Sequence, residues 1–237
     1  MKWEETFTWN GKSLRYNLIP YNNTAERAIE IPIILDFLSK SNVGEKLLEV
    51  GNVLCNYENE YNKISRTVVD KYEVAADVVN IDLMDVSALD KYDLIVSIST
   101  VEHIGQNWDN FECSIERDLE APLKAIVKIY TLLNLAGRAI ITVPFGKFTD
   151  GIWYIQFNQD YLERLTKKYK LPEVAIQVSY FKRIASEVET DNPYQIWIQT
   201  NQDELKNVCY DSPYSCANGL AVIELKNSNL IEIPEKL

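Results

Sequence analysis

Acidic side chains stand at the ends of successive apolar runs, where an α/β protein places its ligand-binding groups. Glu49 and Gly51 end the run KLLEVG, Asp70 ends TVVD, and Asp82 ends ADVVNID. A nucleoside-binding unit needs a carboxylate about 20 residues after its first loop, where it accepts hydrogen bonds from ribose hydroxyls. Asp70 lies 19 residues after Gly51. The spacing therefore predicts a site for a nucleoside-type ligand.

A fourth apolar run, YDLIVSIST (92–100), leads into the only histidine of the sequence, His103. An imidazole titrates near neutral pH and can accept a proton from a reacting hydroxyl or amine. His103 is therefore either a general base or one wall of the ligand pocket. The four cysteines form no C-x-x-C pair, and there is no second histidine to join them, so we expect no metal site.

A layered sheet is needed to bring these residues together. The apolar pattern predicts strands over 46–51, 67–73, 76–85, 92–100, 138–146, 174–184 and 219–227. It predicts helices over 25–40, 121–137 and 158–170. Pro32 predicts a helix start or a kink, Gly137 a C-terminal cap and Asn158 an N-terminal cap. Early strands alternate with helices and late strands lie closer together, which predicts an α/β sheet, parallel at first, with an antiparallel end.

The whole chain, 1–237, is expected to form one domain, because it contains no internal repeat and no Gly/Ser linker. We expect an N-terminal cap over 1–40, a binding core over 45–147 and acceptor-side elements over 148–237. The formal net charge is -11, with no cluster of basic residues, which argues against nucleic acid and anionic membranes as partners. No apolar run is long enough for a transmembrane helix, so we expect a cytoplasmic protein.

Several segments resemble the motifs of class I S-adenosylmethionine-dependent methyltransferases. These segments are LLEVGNVLC, NIDLMD, YDLIVSISTVEHIG and LLNLAGRAIITVPFG. The resemblance covers about 45–147 and a last strand at 219–225. It implies a three-layer Rossmann-like fold with a seven-stranded, mostly parallel sheet and an antiparallel last strand. It also implies S-adenosyl-L-methionine as methyl donor and S-adenosyl-L-homocysteine as product.

The resemblance assigns cofactor contacts residue by residue. Asp70 would bind the ribose hydroxyls, and Asp82 or the backbone of Leu83 would meet the adenine. Further contacts are expected from Glu49, Gly51, Asn52, Ser99, Thr100 and His103. The first loop departs from the family pattern, since Val53 and Cys55 occupy positions where glycines are usual. This loss leaves open a fold without cofactor, and it disfavours a dinucleotide, whose pyrophosphate needs a more open loop.

Candidate acceptor-side residues lie before and after this core. Arg27 could bind the carboxylate of the cofactor or contact the acceptor, or it could be an ordinary solvated charge. Glu30 is a candidate catalytic group, and Glu30 or Tyr21 could meet the acceptor. Trp153 and Tyr154 are candidate walls of the acceptor pocket, although aromatic residues near a sheet edge are often core.

The sequence thus predicts a methyltransferase acting on a small polar acceptor, with O-methylation favoured. A sugar or sugar nucleotide of a surface glycan is suggested only by the resemblance to small bacterial methyltransferases. The reaction would be an in-line displacement at the sulfonium methyl, in which alignment is the main task of the protein. A non-catalytic binding domain and an NAD(P)-dependent oxidoreductase are the alternatives.

Overall fold

A computed structural model describes residues 6–17, 25–57, 65–107, 117–187 and 194–228 of the chain. Its α-helices are α1 (Arg27–Leu38), α2 (Ala121–Thr131), α3 (Gln159–Leu162), α4 (Arg164–Lys167) and α5 (Gln202–Leu205). Its strands are β1 (Thr6–Trp9), β2 (Lys12–Arg15), β3 (Lys46–Val50), β4 (Ser65–Val69), β5 (Val78–Val79), β6 (Tyr92–Ile98), β7 (Leu133–Pro144), β8 (Thr149–Asp150), β9 (Ile155–Gln156), β10 (Ile176–Glu187), β11 (Tyr194–Thr200) and β12 (Gly219–Lys226). Among these residues, no helix is long and apolar enough to span a membrane.

Eight strands form the central sheet, in the order β11-β10-β12-β7-β6-β3-β4-β5. The pairs β3–β4, β4–β5, β3–β6 and β6–β7 are parallel, whereas β12 is antiparallel to both β7 and β10. The predicted α/β sheet, mostly parallel with an antiparallel last strand, is confirmed. The sheet has one strand more than the expected seven, because β11 pairs with β10 at the edge.

Helices cover both faces of the sheet, which gives three layers. Neighbouring residues of one strand point to opposite faces. Leu48 of β3 packs in the same apolar cluster as Ile126 of α2, whereas Leu47 packs in the cluster that contains Ile33 of α1. Full burial of such a side chain contributes roughly 1.5–3 kcal/mol. The two clusters therefore clamp the strands whose ends carry the predicted ligand-binding residues.

The described part of the expected N-terminal cap includes a two-stranded hairpin, β1–β2, that packs against the antiparallel end of the sheet. The rings of Phe7 and Trp9 lie 6.0 Å and 5.8 Å from the ring of Phe181. The hydroxyl oxygen of Tyr16 accepts a hydrogen bond from the Trp197 backbone N–H at 2.9 Å. These contacts tie the hairpin to β10 and β11.

The predicted helix over 121–137 is too long. Helix α2 ends at Thr131, and β7 already begins at Leu133, so that Gly137 lies inside a strand and caps no helix. Residues 133–137 are held by neighbours outside any helix: Leu133 pairs with Tyr92, and the Ala136 N–H donates to Asn227 O at 2.7 Å. Pairing with the sheet thus overrides the helical periodicity.

Three further elements differ from the prediction. The expected strand over 76–85 is reduced to Val78–Val79, followed by a 3-10 turn at Leu83–Asp85. The expected helix over 158–170 is split into α3 and α4, although Asn158 does cap it by accepting from the Tyr161 N–H at 2.9 Å. Helix α1 begins at Arg27 and retains Pro32 in its interior, so the helix does not begin at the proline.

Candidate active site

A cleft of about 550 Å³ opens at the carboxyl ends of β3, β4 and β6. From β3 the chain moves outward to β4 and β5 on one side and then to β6 and β7 on the other, so the cleft lies at the topological switch point of the sheet. Its volume suits a small molecule. Of the predicted cofactor residues, Arg27, Gly51, Asn52, Asp70, Asp82, Leu83, Ser99, Thr100 and His103 line it.

Gly51 forms a turn that only glycine accommodates without strain. Its φ is +86°, and a Cβ at this position would lie 2.5 Å from Thr100 Oγ1. The backbone of the first loop therefore approaches the end of β6 directly. Asn52 and Val53, which follow Gly51, also line the cleft.

Asp70 caps the turn that follows β4. Its Oδ1 accepts hydrogen bonds from the backbone N–H groups of Tyr72 at 2.8 Å and Glu73 at 2.7 Å. Within the described residues its Oδ2 accepts no hydrogen bond. The carboxylate is thus held by one oxygen and can offer the other to a ligand in the cleft.

Asp82 also serves as a cap, at the 3-10 turn Leu83–Asp85. Its Oδ1 accepts from the Met84 N–H at 2.9 Å, and its Oδ2 lies 3.1 Å from Lys71 Nζ. The hydrogen bond to Asp82 raises the pKa of Lys71. Both oxygens of Asp82 are therefore engaged by the protein, whereas Leu83 lies beside it in the cleft wall.

The structure does not bring Glu30 to the cleft, so its prediction as a catalytic group is corrected. Glu30 is fully buried; Arg27 Nη1 donates to its Oε2, and Ser99 Oγ donates to its Oε1 at 2.6 Å. Arg27 also donates to Ile98 O at 3.4 Å. Burial acts to lower the pKa of Arg27, but Glu30 and Glu26 outweigh it and raise that pKa. Glu30 therefore positions two cleft residues, Arg27 and Ser99.

Glu49 is likewise absent from the cleft lining, which corrects its prediction as a cofactor contact. Its carboxylate is buried behind the first loop, where it accepts from the Leu54 N–H at 2.7 Å and from Arg66 Nη1 at 2.8 Å. Burial raises the pKa of Glu49 to about 7, against the opposing effects of Leu54 and Arg66. Glu49 therefore stabilises the first loop and does not contact the cleft.

His103 ends the 3-10 turn Val101–His103 and lines the cleft. Its Nδ1 lies 2.9 Å from the carbonyl oxygen of Trp153, so Nδ1 carries the proton and donates it. The two rings stack with centroids 5.1 Å apart. Burial lowers the pKa of His103, which favours a neutral ring whose Nε2 bears a lone pair.

Apart from Arg27, which lines the cleft, the predicted acceptor residues lie behind His103 or outside the described residues. Trp153 and Tyr154 do not line the cleft; Trp153 stacks on His103, and the Tyr154 ring lies 4.2 Å from that of Tyr210. Tyr21 lies outside the described residues. A role of these aromatic residues in acceptor binding stays a prediction.

Sequence reasoning missed two buried carboxyl groups near the cleft, Glu102 beside His103 and Glu26 beside Arg27. Glu102 is 3% exposed, and its Oε1 lies 3.7 Å from His103 Nε2. Oε2 of Glu102 and Oε2 of Glu26 are both buried and accept no hydrogen bond from the described residues. The sequence indicates the burial of Glu102 only through its position within the largely apolar segment ISTVEHIG. Among the described residues no group of His, Cys, Asp and Glu is arranged to hold a metal ion.

The chain matches no protein-family model and no curated protein. It is similar to the solved structure of the N-methyltransferase NodS from Bradyrhizobium japonicum WM9 with S-adenosyl-L-homocysteine, at 13% identity and a TM-score of 0.45, over 83% of this chain and 85% of that chain. A SAM-dependent methyltransferase from Archaeoglobus fulgidus is 12% identical with a TM-score of 0.48, over 82% and 93%. The cyclase SpnF is 16% identical with a TM-score of 0.40, over 65% and 58%. Likeness at this level does not assign an activity.

Proposed function

We propose that the protein is an S-adenosyl-L-methionine-dependent methyltransferase that acts on a small polar acceptor. The observation that carries the proposal is the cleft at the switch point, which Gly51 and Asp70 line at the ends of β3 and β4. A dinucleotide would need a glycine-rich turn for its pyrophosphate, but Asn52 and Val53 place side chains there. A nucleoside without pyrophosphate fits this cleft better.

Each cleft residue has a task that follows from its contacts. Oδ2 of Asp70 would accept hydrogen bonds from ribose hydroxyls, while Oδ1 stays committed to the turn. The guanidinium of Arg27, fixed by Glu30, would hold a carboxylate of the cofactor. Leu83 would pack against the adenine. When bound, the cofactor supplies an electrophilic methyl group on a sulfonium.

The remaining work of the protein is alignment and, for a hydroxyl acceptor, removal of a proton. Holding two reactants in the geometry of attack can lower the barrier by several kcal/mol. The neutral His103 ring could accept a proton at Nε2, because its Nδ1 is committed to Trp153. More specifically, we propose O-methylation of a sugar or sugar nucleotide, and this step rests on the sequence resemblance alone.

Calorimetric titration with S-adenosyl-L-homocysteine and with NAD⁺ tests the proposal. We expect micromolar binding of the first and none of the second, whereas absence of heat with millimolar S-adenosyl-L-homocysteine would end the methyltransferase assignment. Binding without turnover of any acceptor would favour the alternative of a non-catalytic domain, which the loss of two loop glycines supports.

Variants of Asp70 separate its two tasks. Asp70→Asn keeps an oxygen for the Tyr72 and Glu73 N–H groups but loses the charge, so affinity should fall at least tenfold with stability unchanged. Asp70→Ala should lose the affinity and also about 1 kcal/mol of stability, as caps do. Asp90→Asn, an exposed carboxylate outside the cleft, is the matched control. Unchanged affinity in both Asp70 variants would show that Asp70 is only a cap.

A further inference from the structure

Two buried carboxyl groups, Glu26 and Glu102, form what we call the carboxylate pair. The Glu102 side chain is 4% exposed, and in the part of the chain that the structure describes its Oε2 accepts no hydrogen bond. Glu26 is the N-cap residue of α1 but its side chain makes no capping hydrogen bond, and its Oε2 is equally buried and without a donor. A buried carboxylate oxygen without a donor is costly. Such atoms are expected where a ligand supplies the missing donors.

The charges around the carboxylate pair are unbalanced. Glu26, Glu30 and Arg27 all act electrostatically on Glu102, and Arg183 acts on Glu26. Arg27 is bound to Glu30, and Arg183 Nη2 donates to the backbone oxygens of Ala217, at 2.6 Å, and Ser215. Among the described residues, three carboxyl groups thus face two guanidinium groups, and the hydrogen bonds given above for these guanidinium groups go to Glu30 and to backbone oxygens. Burial above all raises the pKa of both Glu26 and Glu102.

Aromatic rings lie near the pair, because Trp153 stacks on His103, whose Nε2 lies 3.7 Å from Glu102 Oε1. The Trp153 ring lies 4.7 Å from the Tyr154 ring and 6.4 Å from the Tyr210 ring. Burial raises the pKa of Tyr210, and Glu26 and Glu102 both act electrostatically to raise it further. Glu26, Trp153 and Tyr210 are each partly exposed, so the pair lies just beneath the surface. Carboxylates beside aromatic faces are the surroundings that hold ammonium groups.

We propose that the acceptor carries an ammonium group, which Glu26 and Glu102 bind beside Trp153 and Tyr210. The inference rests on the proposed function, since it names the chemistry of the acceptor. An ammonium has three N–H donors, enough to satisfy both unpaired oxygens with one to spare. The cofactor's own ammonium is the other source of this chemistry. We assign the site to the acceptor because neither glutamate lines the cleft, and the aromatic rings lie beyond His103.

Matched pairs of an amine and a neutral analogue test whether the site prefers a positively charged group. Glucosamine and glucose, and phenethylamine and 2-phenylethanol, are titrated into the protein alone and into the protein saturated with S-adenosyl-L-homocysteine. We expect at least one amine to bind at least tenfold more tightly than its neutral partner. Equal binding of amine and alcohol, or no amine binding at millimolar concentration, would overturn the proposal. The titrations without S-adenosyl-L-homocysteine report on the site even if the proposed cofactor does not bind.

The variants Glu102→Gln and Glu26→Gln localise the effect. Each should weaken amine binding at least tenfold. Because Gln is neutral and nearly isosteric, Glu102→Gln should also raise the melting temperature of the ligand-free protein. Replacement of a carboxylate that stabilises the fold would lower it. Unchanged amine affinity in both variants would refute the site. If Glu102→Gln weakens S-adenosyl-L-homocysteine but not 5′-methylthioadenosine, which lacks the amino-acid group, the ammonium is the cofactor's and our assignment is wrong.

Discussion

His103 lies between the cleft and the aromatic ring of Trp153, and its two proposed roles make different demands on the imidazole ring. As a pocket wall it needs its shape and its bond to Trp153; as a base it needs Nε2. We expect His103→Ala to weaken S-adenosyl-L-homocysteine binding about tenfold, because the ring that lines the cleft is lost. His103→Asn can still donate to Trp153 O, so it should retain most of the affinity.

Two measurements decide between these roles: the dissociation constant by calorimetry, and turnover at saturating cofactor. A general base contributes a factor of about 10² to 10⁴ in rate. Intact affinity in His103→Ala, together with a 100-fold loss of turnover in both variants, would make His103 the base and our expectation wrong.

Glu49 predicts a specific pH dependence of stability. Burial raises its pKa from 4.5 to about 7, so the folded protein holds a proton that the unfolded chain releases. The contribution of Glu49 to the free energy of unfolding is therefore largest below pH 4.5 and is lost as the pH rises to 7. The total loss is on the order of 3 kcal/mol. Urea unfolding across this range should show the decline in wild type and a smaller one in Glu49→Gln. A parallel pH dependence in both proteins would contradict this account.

Residue types and their order along the chain were enough to predict most of the residues that line the cleft. They were not enough to predict the buried carboxyl groups that hold those residues in place. Gly51, Asp70 and His103 were placed correctly because each follows a strand, and strand ends meet at one edge. Glu30 and Glu49 were misplaced because the sequence does not show which face of α1 or β3 turns toward the cleft. Glu102 was missed as a buried group, since burial of a carboxylate depends on contacts distant in sequence.

At the scale of elements, the turn after β3 depends on its contact with the end of β6. Gly51→Ala should cost about 1–2 kcal/mol for its positive φ, and more because the new Cβ would lie 2.5 Å from Thr100 Oγ1. Gly44→Ala is the matched control, with φ +94° and no atom near its Cβ. Urea unfolding should show a larger loss at Gly51, part of which Gly51→Ala/Thr100→Ala recovers. Equal losses at both glycines would show that the contact has no effect.

Element boundaries were predicted well where a local signal existed and poorly where pairing decides. Asn158 and Asp70 mark a helix start and a strand end through their own hydrogen bonds. The end of α2 carries no such signal, because Leu133 and Leu135 continue an apolar pattern that suits a helix as well as a strand. Strand β11 was missed although YQIWIQT alternates, with Trp197 buried and Ile198 exposed. Its place depends on β10 and on the hairpin.

At the scale of the molecule, the order of the strands and the net charge affect different properties of the protein. The order places the ends of β3, β4 and β6 together and so determines where the cleft lies. The net charge of -11 bears on partners and stability instead. A molecule this acidic repels nucleic acid, which stays a prediction for the chain, and it also repels itself.

That self-repulsion predicts how salt acts on stability. Raising NaCl from about 10 to 300 mM shortens the screening length from about 30 Å to less than 10 Å, which weakens long-range repulsion among the excess carboxylates. The melting temperature at pH 7 should therefore rise, by about 2–4 °C for each kcal/mol gained. At the isoelectric point of about 4.7 the net repulsion is absent, and the same salt should add nothing or weaken the attractive pairs. Equal gains at both pH values would show that salt acts by exclusion from the surface and not by screening.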